Sequence, residues 1–127
     1  MIADAKHAEL YCEWLDYIEN HETKDACRFF VGLAASLKYL ECYPVQKGTV
    51  KDFRFFDTKG EQPFAFIPNK QWLLFYFRLP AIRSGHYVLE IVRSKFDPVN
   101  VNTKGEWTLK LTNIADVQRL WALVGIE

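Results

Sequence analysis

"PFAFIPNKQWLLFYFR", residues 63–78, holds six aromatic side chains in sixteen positions. Pro63, Pro68 and the Asn69–Lys70 pair punctuate it. It therefore reads as two short strands, 63–67 and 71–78, joined by a hairpin connection at 68–70. Side chains alternate between faces along a strand. Leu73, Phe75 and Phe77 share one face; Trp72, Leu74, Tyr76 and Arg78 share the other. The first set is expected to meet helices together with Phe53, Phe55, Trp107 and Leu109. The second set is too apolar for a face left to water.

Three arrangements satisfy that second set. A helix covers it, with Trp121 supplying the contact. Alternatively the face is open and binds single-stranded nucleic acid: Trp72 and Tyr76 stack on unpaired bases while Arg54, Arg78 and Lys110 meet phosphates. In the third arrangement it buries against a protein partner or a second copy, since Trp, Tyr and Arg carry interface energy.

Outward from this stretch, "TVKDFRFF" (49–56) reads as a strand and "DTKGEQ" (57–62) as its exit turn. "HYVLEIVR" (86–93), rich in β-branched residues, reads as a fourth strand after the breaks at Pro80, Ser84 and Gly85. "DPVNVNTKG" (97–105) reads as a loop. "EWTLKLT" (106–112) alternates cleanly, with Trp107, Leu109 and Leu111 on one side and Thr108, Lys110 and Thr112 on the other.

Helical periodicity brackets the strands. In residues 4–19, Ala8, Tyr11, Leu15 and Ile18 form one stripe with Trp14 beside it, and Asp4 sits in the first turn. Glu9, Glu13, Asp16 and Glu19 form an acidic stripe. Residues 24–42 read as a second helix, capped by Asn20 or Thr23 and stopped by Pro44. It should be largely buried, with Gly32, Ala35 and Ser36 as a patch for close approach. A last helix follows Asn113 as N-cap, with Asp116 three residues on, Ile114, Val117, Leu120, Trp121 and Val124 as its stripe and Gly125 as its stop.

Two helices, about five antiparallel strands and a terminal helix make an α+β chain. At 127 residues one domain (1–127) is expected, with a helical layer over 1–45 and a sheet with its closing helix over 46–127. Net charge is zero, but the layers differ. Residues 1–45 hold four Lys/Arg against eight Asp/Glu, and residues 46–127 hold twelve against eight.

Several classes are disfavoured. No apolar run reaches the roughly 18 residues of a membrane span, and the N-terminal stretch lacks the pattern of a signal peptide. Cys12, Cys27 and Cys42 have no close pair, so they read as free thiols in a reducing cytoplasm. His7, His21 and His86 lack metal-ligand spacing, and no metal or other cofactor is expected. Phosphate-loop, dinucleotide, nucleophile-elbow and zinc-helix motifs are absent. A restriction-type nuclease needs an acidic-x-Lys strand, and Lys95 falls too far beyond Glu90 to supply it.

"FAFIPNKQWLLFYFRLP" (64–80) followed by "GEWTLKLTNIADVQRLWALV" (105–124) resembles a small α+β domain of unknown function found in restriction-system and prophage-associated proteins. The likeness spans about residues 52–124. It implies a non-catalytic binding role near nucleic acid and assigns no individual residue. The expected function is thus non-enzymatic, nucleic-acid-associated binding through Arg54, Trp72, Tyr76, Arg78 and Lys110. The rival expectation is an inhibitor or adaptor of the kind mobile elements encode, docking a basic protein through Glu9, Glu13 and Asp16.

Overall fold

The computed structural model describes residues 5–125; Asp4 lies outside them. The fold is α+β, as the pattern predicts. Two N-terminal helices, α1 (Ala5–Tyr17) and α2 (His21–Ala34), precede strands β1 (Glu41–Lys47), β2 (Val50–Phe56), β3 (Phe64–Pro68) and β4 (Leu73–Phe77). Two short helices follow, α3 (Leu79–Arg83) and α4 (Leu89–Lys95), then β5 (Asn100–Val101), β6 (Trp107–Leu111) and α5 (Ile114–Val124). The six strands form one antiparallel sheet in the order β1-β2-β3-β4-β6-β5.

Register makes one side of this sheet a block of rings. Phe53, Phe66, Phe75 and Leu109 stand opposite one another across β2, β3, β4 and β6, and Phe64, Phe77 and Trp107 continue the neighbouring row from Phe55. Phe30 of α2 lies on this block, 4.5 Å from Phe66 and 5.7 Å from Phe55 between ring centroids. Trp14 of α1, Ile18 just past its end, and Val117 and Leu120 of α5 complete it with no exposed surface. Burying each large ring or aliphatic chain is worth roughly 1.5–3 kcal/mol, so this side dominates stability.

Three polar devices order the start of α2 and tie it to the ends of interior strands. Asn20 caps α2 by accepting from the Thr23 amide. The Thr23 hydroxyl lies within hydrogen-bond distance of the Gln71 and Thr112 carbonyls, at 3.0 and 2.9 Å, tying α2 to the start of β4 and the end of β6. The amides of Glu19 and Asn20 both donate to the Lys70 carbonyl. The β3–β4 turn that presents Trp72 is thereby held by the α1–α2 junction.

Four sequence expectations need correction. The second helix ends at Ala34, and residues 41–47 are an edge strand containing Pro44, so the layers change before Glu41. Proline suits a sheet edge because it has no amide to donate. Residues 86–93 are not a strand: most of them form α4, where Val92 is buried and Phe96, four residues on, is buried beside it in the chain's hydrophobic core. The α1 stripe holds at Tyr11 and Leu15, packed against the core, and at Ile18, buried just past the helix end, but Ala8 is exposed and Trp14, placed beside the stripe, is fully buried. Gly32, Ala35 and Ser36 are exposed, and nothing lies within 4 Å of a Cβ built at Gly32.

Candidate functional site

The other side of the sheet carries the residues singled out from the sequence. A continuous row crosses all six strands: Tyr43, Arg54, Ala65, Tyr76, Thr108 and Asn100. Beside it Ile67, Leu74 and Lys110 are paired on β3, β4 and β6. The helix expected to cover this face does not do so; among the described residues α1 reaches only its β1 edge, where the His7 ring lies 4.7 Å from that of Tyr43. Trp121 instead meets Phe30 edge-on at 5.9 Å, within the ring block. A concavity of about 510 Å³ opens here, lined by Asp52, Arg54, Ala65, Tyr76, Arg78 and Glu106 among others. Every residue lining it lies in a strand or a loop.

The cations of this face are held in place. Arg54 engages both carboxylate oxygens of Asp52 through Nε, at 3.0 and 3.2 Å. Arg78 donates from Nε to Glu106 at 2.9 Å and from a terminal nitrogen to Gln62 at 2.8 Å. Glu106 also accepts from Asn102 at 3.1 Å, and Asn102 in turn accepts from the amides of Lys104 and Glu106. Long guanidinium stems beside Ala65 and Tyr76 shield the apolar floor. Ala65 and Thr108 are therefore buried without a helix above them.

The two buried carboxylates respond differently. Burial pushes Asp52 above the ordinary aspartate range, and its bond with Arg54 offsets only part of that. Burial also pushes Glu106 upward, but hydrogen bonds from Arg78 and Asn102 outweigh it and hold the carboxyl below the usual range. Glu106 has side-chain donors on both oxygens from two residues, whereas the side-chain donor to Asp52 is the Nε of Arg54, aided by its own backbone and the Arg78 charge. Tyr76, half-buried between them, is raised by burial, by Glu106 and by Asp52.

Trp72 sits at the end of this face, half-buried, with the exposed Lys110 ammonium 4.1 Å from its ring centroid. The structure thus brings Arg54, Tyr76 and Arg78 together around one concavity, and places Trp72 and Lys110 as a second cluster beside it. Glu9, Glu13 and Asp16 are exposed on α1, and none is ion-paired among the described residues.

Sequence reasoning missed Asp52, Gln62, Asn102 and Glu106. Asp52 was recoverable, because it lies two residues from Arg54 and so shares its face. Glu106 required the β4–β6 register, which places it one step beyond the Phe77–Trp107 pair.

Burial pushes the Cys27 and Cys42 thiols up to about 12, so neither supplies a thiolate at neutral pH. Among the described residues, no three of His, Cys, Asp and Glu are grouped to hold a metal ion, and no helix is long and apolar enough to cross a membrane. The chain matches no known protein family, no curated protein and no solved structure.

Proposed function

We propose that this protein is a non-enzymatic, cytoplasmic binding protein that holds single-stranded nucleic acid across the helix-free face of its sheet. The observation that carries this is the placement of Tyr76 and Trp72, both half-buried, on that face among Arg54, Arg78 and Lys110. Both rings are partly exposed, and stacking tolerates any base; at Trp72 the base takes the place of the Lys110 ammonium on the ring or lies on the other side of it. Asp52 engages Arg54 only through Nε. The two terminal nitrogens of Arg54 remain for a phosphate without breaking that pair. Lys47 and Lys104 add cations at the rim of the same concavity. The free cysteines, two of them buried, suit a reducing compartment.

Fluorescence-anisotropy titration of a labelled single-stranded oligonucleotide at low and moderate salt tests this. Binding should weaken as salt rises, with log K falling by roughly 0.7 per phosphate contacted for each unit of log salt. Tyr76→Ala and Trp72→Ala should each weaken it by about 1–3 kcal/mol. A wild-type protein with no salt-sensitive binding overturns the proposal.

The exposed and unpaired Glu9, Glu13 and Asp16 favour a second reading, a basic protein docked along α1. Charge reversal at these three positions should abolish binding of a cationic peptide probe under that reading. It should not weaken oligonucleotide binding under the first.

A further inference from the structure

A second cleft, of about 490 Å³, opens beside the Trp72–Lys110 cluster, between α4, β6 and α5. Four cations line it, Arg93, Lys95, Lys110 and Arg119, against two carboxylates, Asp97 and Asp116. Asp116 is committed locally: one oxygen accepts from the Thr112 amide at 2.8 Å, the other from Arg119 at 2.6 Å. Arg119 also packs over Phe96 in the cleft wall, its guanidinium carbon 4.6 Å from the ring centroid. Arg93 is anchored by donation to the Val99 carbonyl. Lys95 is exposed and takes part in no ion pair among the described residues. Lys110 belongs to both places, since it covers Trp72 and lines the cleft.

We propose that this cleft is a phosphate subsite for the same bound strand. The strand runs from Tyr76 past Trp72 and over Lys110, and a backbone phosphate enters between Lys95 and Arg119. This rests on the open-face reading for the identity of the ligand. It goes beyond that reading by assigning Lys95 and Arg119, neither of them on the sheet, to binding. The excess of cations over carboxylates supplies the attraction for an anion, and anchoring of Arg93 and Arg119 lowers the ordering entropy a phosphate must overcome.

The test is amide NMR of the full chain titrated with a single-stranded oligonucleotide, paired with salt-dependent affinities of wild type and Lys95→Gln. Lys95 is exposed, so the variant should fold as wild type does. The expected result is movement of the Lys95, Phe96 and Arg119 signals together with Trp72 and Tyr76, and a salt slope flattened by roughly 0.7 in Lys95→Gln. If only Trp72 and Tyr76 move and the slope is unchanged, the cleft proposal fails and the face reading stands. If only the cleft signals move, no strand runs from the face into the cleft, and both the shared-strand proposal and the face reading fail. If neither set moves, both fail.

Discussion

The two faces of one sheet solve burial in different ways. On one side Phe30, Phe53, Phe55, Phe64, Phe66, Phe75 and Phe77 interlock, with centroid separations from 4.5 to 6.3 Å. Helices α1, α2 and α5 close that side. On the other side the same strands carry Ala65, Leu74 and Tyr76, and the shielding comes from paired charges, Asp52 with Arg54 and Glu106 with Arg78. A face closed by helices specifies the fold. A face closed only by side chains stays available to a ligand, because displacing a side chain is far easier than displacing a helix.

The largest expected effect lies in the ring block. Phe30→Ala removes the ring that touches Phe55, Phe66, Phe75 and Trp121. It should cost about 3–5 kcal/mol, measured as a lower denaturation midpoint. Tyr76→Ala, on the opposite face, should cost much less stability while weakening oligonucleotide binding. Equal losses of stability at the two positions would erase the contrast between the faces.

Next in size is Thr23→Val, which keeps the shape and removes the hydroxyl bonded to the Gln71 and Thr112 carbonyls. A loss of about 1–3 kcal/mol is expected in chemical denaturation. It also loosens the turn that presents Trp72, so quenching of tryptophan emission by a soluble quencher should rise. Unchanged stability would show that those carbonyls find other donors.

The carboxylates sharpen the comparison within the open face through pH. Glu106 is depressed in the folded state, so its contribution is present above the unfolded value and is lost as pH falls through the folded one. Asp52 is raised, so its contribution is present below the unfolded value and is lost as pH rises through the folded one. Across the acid range, Glu106→Gln should therefore flatten the fall of stability toward low pH, and Asp52→Asn should steepen it. Denaturant midpoints from acid to neutral pH read both; curves changing in the same sense would contradict the assigned environments. The smallest effect expected is at Asn113, whose side chain accepts from the Asp116 amide to cap α5. Asn113→Ala should lower stability by about 1 kcal/mol, leaving binding intact.

The ring face was legible because period-two alternation in 53–56, 64–66, 73–77 and 107–111 names its members directly. The cap at Asn113 and the stop at Gly125, which has a φ of 57°, were equally local signals. What was not legible is instructive. Residues 86–93 look like a strand because Val88, Ile91 and Val92 are β-branched, yet Val88 and Ile91 are half exposed and Val92 is buried. The spacing of Val92 and Phe96, four apart, is the helical signal, and composition masked it. Strand β1 was hidden because Pro44 reads as a terminator, when it sits instead on a strand at the sheet edge. On the open face Arg54, Trp72, Tyr76, Arg78 and Lys110 were found from alternation. Their acidic partners were not, since Glu106 reaches Arg78, 28 residues away in sequence, only through the β4–β6 pairing.

The central claim is that the helix-free face carrying Tyr76 and Trp72 is the binding surface. The most direct measurement is single-stranded oligonucleotide affinity of the Trp72→Ala/Tyr76→Ala double variant beside wild type at one salt concentration, with unfolding midpoints taken on both. The account predicts a loss of affinity of at least tenfold, larger than either single variant gives, in a protein that remains cooperatively folded. Equal affinity of the two folded proteins would contradict it.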